Sequence, residues 1–243
     1  MARYAQMMTG ILVYALFFLT FLCLIAFVGD FLLPRTVDTG PASPLAVAVV
    51  IDVALVALFG LQHSIMARQG FKQRWTRTVP AVLERTVYVA AASLALIVLM
   101  LAWQPIGAII WSVQGTAATV LWALFALGWA IVLVSTFLIN HFELFGLEQL
   151  WRNLRAQPMA PPRFRQPLFY RWVRHPLYLG FVFAFWAIPV MTAGHLLLAL
   201  GMTVYILIAI RFEERDLLAV FGHAYADYRR RVGMLVPGLG RGR

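Results

Sequence analysis

The segment Arg174-His175-Pro176-Leu177-Tyr178-Leu179-Gly180 stands where a basic, proline-rich loop gives way to a long apolar run. An ionisable histidine at the mouth of a membrane helix is costly without a partner, so its default reading is a binding site. Proline suits a first helical turn, where its missing N–H costs nothing. A helix therefore begins after His175 and offers free N–H groups to an anion such as a carboxylate. Tyr178 lies on the next turn, and Gly180 lets a ligand or a neighbouring helix approach closely. A second apolar run closes with Arg211-Phe212-Glu213-Glu214-Arg215-Asp216. Adjacent helical positions point ~100° apart, so one glutamate turns inward while the other pairs with Arg211 or Arg215. An inward carboxylate can accept hydrogen bonds from a ribose diol or an amino group. His175 can donate or accept near neutral pH. The competing reading is interfacial, with Arg174 and His175 reaching lipid headgroups and the glutamates forming a salt-bridged helix end.

These groups need a scaffold, and composition says which. Of 243 residues, 62% are hydrophobic and 12% charged, against about a quarter charged in soluble domains. The expectation is one all-α, polytopic membrane helix bundle over residues 1–243. Four spans are predicted at about Thr9–Leu33, Pro44–Ala67, Val82–Trp103 and Thr116–Ile139, each near the ~20 residues a crossing needs. A polar segment from His141 to Arg174 follows. The block Pro176–Ile210, interrupted at Thr192-Ala193-Gly194-His195, reads as a helical hairpin, making about six spans. The four-span part, 1–139, is expected on the substrate side, and 140–243 to hold the cofactor-binding loop, the hairpin and a C-terminal helix. Met7–Val28 is too long for the apolar core of a signal peptide.

The net charge is +10, and Lys72 is the only lysine. No nucleic-acid-binding motif accompanies the arginines, and membrane topology explains them. Arg68, Lys72, Arg74, Arg77 and Arg85 flank one loop. Arg152, Arg155, Arg163, Arg165, Arg171 and Arg174 fill another, and Arg211, Arg215, Arg229, Arg230, Arg231, Arg241 and Arg243 crowd the tail. The loop around Gln104–Gly115 and the hairpin tip at Gly194 are uncharged. Positive loops stay inside, so both termini and both polar clusters are expected in the cytoplasm. Beyond Ile210, Leu217, Leu218, Phe221, Tyr225 and Tyr228 share a helical face, opposite Arg215, Asp216, His223, Asp227 and Arg230. That predicts an amphipathic helix along the membrane surface, either a plain anchor or a cofactor lid. Cys23 is a lone packing residue. With one cysteine and no histidine-rich spacing, no metal site is expected.

The C-terminal pattern, RHPxYxG followed by Glu213-Glu214 and then Phe221-Gly222 and Tyr225–Arg229, resembles the isoprenylcysteine carboxyl and phospholipid methyltransferase superfamily of membrane enzymes. Over most of the chain the resemblance narrows. Leu61-Gln62-His63-Ser64-Ile65-Met66-Ala67-Arg68, Glu84-Arg85-Thr86-Val87-Tyr88, His141-Phe142-Glu143-Leu144-Phe145-Gly146-Leu147 and Met191–His195 look like bacterial methanethiol S-methyltransferases. Part of this is shared with NnrU-like membrane proteins. The closer group usually carries HFDLFGL, and Glu143 stands here for the aspartate. The resemblance implies S-adenosyl-L-methionine as methyl donor and a small thiol, methanethiol, as substrate, giving dimethyl sulfide. It also implies a bacterial inner membrane, with lipid as the surrounding partner and no obligate protein partner. It points to Arg174, His175, Pro176, Tyr178, Gly180, Glu213 and Glu214 as cofactor-binding, with Tyr225, Tyr228 and Arg229 closing over it.

Methyl transfer is an in-line displacement that mainly requires alignment. A thiolate is the competent nucleophile, and a sulfonium beside the thiol favours it. Aromatic rings attract that cation. Candidate bases are His141 first, then Glu143, His63 and Glu84, all expected near cytoplasmic helix ends. Asp52, inside the second span, reads as a structural hydrogen-bonding group rather than a catalytic one, and His195 at the outer tip is set apart from the site. The alternatives are a methyltransferase for lipid or prenylcysteine, and an NnrU-like transport or haem-linked accessory protein.

Overall fold

The computed structural model describes residues 1–159, 161, 164–240 and 242; Arg163, Arg241 and Arg243 of the charge pattern, and Pro162, lie outside the described residues. The chain is mostly helical. Its helices are α1 Ala2–Val28, α2 Leu45–Ala67, α3 Gln69–Trp75, α4 Glu84–Ala102, α5 Gly115–Ile139, α6 His141–Leu144, α7 Leu147–Leu154, α8 Pro176–Trp186, α9 Ala193–Phe221 and α10 His223–Arg231. Two short strands, β1 Ile109–Ser112 and β2 Val190–Thr192, pair as a two-stranded sheet. The expectation there is uncharged loop for β1 and, for Val190 and Met191 of β2, the end of a hairpin helix. Near hydrocarbon, unpaired backbone groups are expensive, and these β-branched stretches satisfy theirs as strands.

Among the described residues, five helices are long and apolar enough to cross a membrane: α1, α2, α4 with its preceding 3₁₀ turn, α5 and α9. This is an integral membrane protein. Apolar side chains such as Leu12 and Leu19 on α1, and Val50 and Leu61 on α2, are exposed, as lipid-facing residues should be.

The hairpin differs from the expectation. α8 has only 11 residues, about 16 Å at 1.5 Å per residue, against ~30 Å of hydrocarbon. The chain then continues extended. The Val113 N–H donates to the Pro189 carbonyl at 2.9 Å, and Trp111 Nε1 donates to the Ile188 carbonyl at 3.1 Å. Residues 188–189 thus lie level with the approach to α5. The second arm is longer than expected. α9 runs unbroken for 29 residues and takes in 211–221, which the sequence reading gave to a separate surface helix. It stops at Gly222, whose φ of +53° is open to glycine.

The chain forms two compact units: Met1–Ile110 with His141–Ala160 and Thr192–Leu198, and Trp111–Asn140 with Pro161–Met191 and Ala199–Arg243. In the first, α1 and α2 pack on α4, and α7 packs on α1. Buried Asp52 accepts the Gln104 N–H at 2.9 Å, the structural role expected of it. In the second, α5 and α8 pack so closely that a Cβ added at Gly180 would lie 2.7 Å from the Gly128 carbonyl and 2.9 Å from the Val132 nitrogen. The open question at Gly180 is answered by this helix: its bare face meets α5. Trp129 seals the seam edge-on against Phe181 and Phe185.

Candidate active site

The polar cluster is built within the second unit, at the start of α8 and the end of α9. Extended residues Val173–His175 run parallel to the tail after α10. Val173 bridges Gly233, the Arg174 N–H donates to the Gly233 carbonyl at 2.8 Å, and the His175 N–H to the Met234 carbonyl at 3.2 Å. Pro176 then opens α8 at its first position, as its fixed φ and missing N–H favour.

Both polar motifs meet here. Arg174 Nε donates to Glu214 Oε1 at 2.7 Å, and His175 Nε2 lies 3.2 Å from the same oxygen. Arg229 Nη1 stands 3.8 Å from Glu214 Oε2. Glu214 is therefore the inward carboxylate, and its cationic partners are Arg174 and Arg229. Glu213 faces outward at 44% exposure, with Oε2 3.8 Å from His175 Nδ1. Among the described residues it has no hydrogen bond as short as those that Glu214 Oε1 makes. The Tyr178 ring lies 5.7 Å from the His175 ring.

Aromatic residues close the cluster. Tyr225 and Tyr228 are each 2% exposed, and Phe164 meets both rings edge-on. The Tyr228 hydroxyl donates to the Tyr170 carbonyl at 2.6 Å. Burial, with help from Glu214 and against Arg174, pushes the Tyr228 phenol up to about 12. Burial, then Glu214, raises Tyr225; burial, then Glu213, raises Tyr170. All three are neutral donors at physiological pH. The Tyr225 hydroxyl is buried with no hydrogen-bond partner, an arrangement that costs energy unless something accepts from it.

The candidate bases all lie in the first unit, each in its own setting. His141 is 4% exposed, and its Nε2 lies 2.7 Å from the Tyr14 hydroxyl. Tyr14, Phe142 and Phe145 surround its ring. Burial lowers its pKa, so it is neutral at pH 7. Glu143 is exposed. Glu84 stands 3.5 Å from Lys72 Nζ. His63 lies between the rings of Phe59 and Tyr88.

Comparison with known proteins bears on both units. The NnrU protein family profile matches residues 52–236. The chain belongs to the NnrU family. Within it, the chain is 55% identical to the methanethiol S-methyltransferase of Mycobacterium tuberculosis H37Rv, over 98% of each. It is 49% identical to methanethiol S-methyltransferase 1 of Bradyrhizobium diazoefficiens, over 97% of this chain and 83% of that protein. A more distant relative, nurim of Bos taurus, is 30% identical over 71% of this chain and 69% of its own length. No solved structure matches the chain. With the two methanethiol S-methyltransferases as relatives, this NnrU-family chain stands among methyl-transferring enzymes.

Two sets of groups escaped the sequence reading. Tyr14 is a single hydroxyl within an apolar span, a weak signal until His141 is seen beside it. The carbonyls of Arg229, Val232 and Gly240 accept from Arg174, and backbone groups leave no mark in a sequence.

Proposed function

We propose that the protein transfers a methyl group from S-adenosyl-L-methionine to the sulfur of methanethiol, giving dimethyl sulfide, or to that of a similarly small volatile thiol, giving its methyl sulfide. The reading rests most heavily on the juncture of Arg174-His175 with Glu214 in a chain whose relatives, alike over nearly its whole length, are methanethiol S-methyltransferases. The residues fit such a donor. The unpartnered Tyr225 hydroxyl offers a buried donor, the half-exposed Glu213 an acceptor for a diol or ammonium, and the Tyr178 ring an electron-rich face for a cation. The donor supplies an electrophilic methyl carbon.

On this reading His175, Glu213, Tyr178, Tyr225 and Arg229 hold the donor. Pro176 fixes the start of α8. Glu214 and Tyr228 set the shape of the pocket, and Gly180 and Arg174 support it from behind. For the thiol proton, His141 is the proposed base, because a neutral imidazole can take it. Glu143, Glu84 and His63 are the secondary candidates. Small uncharged thiols dissolve in lipid and need no polar entrance.

For topology, the proposal is six crossings. α8 and the extended residues after it together serve as the fifth, and both termini and the donor site lie on the cytoplasmic side of a bacterial inner membrane. The asymmetry of charge supports this.

The test is direct. Purified protein in lipid nanodiscs is given methyl-labelled S-adenosylmethionine with methanethiol, longer thiols or prenylcysteine. Label in dimethyl sulfide is expected. Label only in the prenylated product would replace this reading with a lipid-modifying one. S-adenosylhomocysteine should bind at low micromolar or tighter affinity, and His175→Ala should abolish that binding.

A further inference from the structure

Arg174 is 2% exposed at its side chain, and each nitrogen of its guanidinium donates to an acceptor in the protein. Nε serves Glu214 at 2.7 Å. Nη1 donates to the carbonyls of Arg229, at 3.2 Å, and Val232. Nη2 donates to the Gly240 carbonyl at 3.0 Å. A buried arginine needs this many acceptors, because each unmet N–H of a desolvated cation is costly.

Three of those acceptors belong to α10 and the tail that follows it. The tail is itself tightly folded. The Met234 N–H donates to the Leu239 carbonyl at 2.8 Å, and the Leu239 N–H to the Val236 carbonyl at 3.1 Å. At Gly233 an added Cβ would lie 2.1 Å from the Val236 carbonyl, so only glycine fits the turn. This loop is stitched to the backbone of Arg174 and His175 and holds the guanidinium from its far side. The carboxylate of Glu214, and through it the His175 ring, is held by an arginine that the tail holds in turn.

We infer that Arg174 is a positioning residue rather than a contact of the methyl donor, and that the tail from Val232 to Gly240 is a working part of the donor site through the carbonyls it gives Arg174. This inference rests on the reading of the cluster as the methyl-donor site.

The experiment uses the full-length protein in nanodiscs beside two variants. One ends at Leu239, which removes the Gly240 acceptor and leaves every helix intact. The other is Arg174→Lys, which keeps the charge and loses the fork. Affinity for S-adenosylhomocysteine is measured by calorimetry, and the KM for each substrate and kcat by dimethyl sulfide release. Losing one charge-assisted bond should weaken donor binding about tenfold. The KM for S-adenosylmethionine should rise by that factor, with the thiol KM and kcat at saturating donor unchanged. The two changes combined should cost little more than either alone, because both act through one guanidinium.

Failure of the unaltered protein to bind S-adenosylhomocysteine would sink the site reading itself. Normal binding by the unaltered protein with equal affinity in both variants would overturn only this inference. A fall in kcat with an unmoved donor KM would do the same, since that marks a general structural loss. So would an additive, roughly hundredfold loss in the combination. Should Arg174→Lys fail to fold, the Leu239 truncation decides alone.

Discussion

Two buried histidines in this protein sit beside carboxylates, and they differ in what surrounds the pair. In the second unit, His175 meets Glu214 at 3.2 Å, with Arg174 and Arg229 as cationic partners, Glu213 half-exposed alongside, and the Tyr225 hydroxyl unspent. In the first unit, the fully buried His195 has Nδ1 3.9 Å from Asp38 Oδ2. There the Thr192 hydroxyl donates to the other oxygen of Asp38 and accepts the His195 N–H at 3.0 Å. Threonines bind the neighbouring loop too, with Thr36 and Thr39 both donating to Asp30. The first arrangement leaves hydrogen-bonding capacity over for a ligand. The second joins Asp38 to the start of α9 through the Thr192 hydroxyl. A histidine–carboxylate pair is not in itself a site; the surplus around it is.

The largest test of that distinction removes each acid. Glu214→Ala leaves the Arg174 cation buried without its carboxylate, a loss of about 3–5 kcal/mol of stability, together with donor binding. Asp38→Ala leaves neutral or weakly paired groups and should cost about 1–3 kcal/mol with the donor KM unmoved. Denaturant melts in detergent and calorimetry with S-adenosylhomocysteine measure both. Equal losses of binding in the two variants would erase the contrast.

The sequence made the useful end of the molecule legible because its signals are local there. Pro176 marks a helix start, and Glu213-Glu214 ends an apolar run that hydropathy alone can see. Three of the four expected spans fall within a few residues of their bounds, at α2, α4 and α5, while α1 begins and ends earlier than expected, at Ala2 and Val28. The shortness of α8 was not legible. Apolar residues suit a membrane helix and a buried strand equally, so composition could not place the change at Trp186. Which glutamate turns inward was also hidden. It depends on a helical phase that only the packed Arg174 reveals. Tyr14 and the tail carbonyls came from tertiary pairing, which one sequence does not encode visibly.

The next contrast concerns close packing. Gly180→Ala drives a methyl into the backbone of α5, which cannot yield locally, and should cost about 1–3 kcal/mol. Donor affinity should fall too, because α8 carries Tyr178. Gly10→Ala in the first unit meets mainly the Leu150 side-chain tip, which can turn aside. It should cost under about 1 kcal/mol and leave donor affinity alone. Thermal melts of the two variants rank them, and the reverse order would show that α8 does not depend on this seam.

His141 extends the comparison to a histidine held by a hydroxyl. Burial depresses its pKa, so the neutral form proposed as the base persists below the ordinary histidine value of about 6.5. The acid limb of kcat/KM should lie below that value. Stability should decline as pH falls under about 6.5, because the unfolded chain then binds the extra proton. Tyr14→Phe removes the 2.7 Å partner and should slow turnover several-fold, about one hydrogen bond's worth, without changing donor affinity. An acid limb at or above the ordinary value, unmoved by His141→Gln, would return the proton to another group.

The smallest effect is the most discriminating. Thr192→Val keeps the shape of the side chain, removes the hydroxyl that Asp38 and the His195 N–H share, and touches nothing in the Arg174 cluster. If this corner only fastens the chain ahead of α9, the variant should lose about 1 kcal/mol of stability and keep both KM values and kcat. If instead the His195–Asp38 pair took part in turnover, freeing one oxygen of Asp38 would change the electrostatics of the histidine and move the pH profile. A flat stability curve with a shifted profile would therefore transfer His195 from the fastening to the chemistry, and an unshifted profile with a lower melting point keeps the two histidine–carboxylate pairs in separate roles.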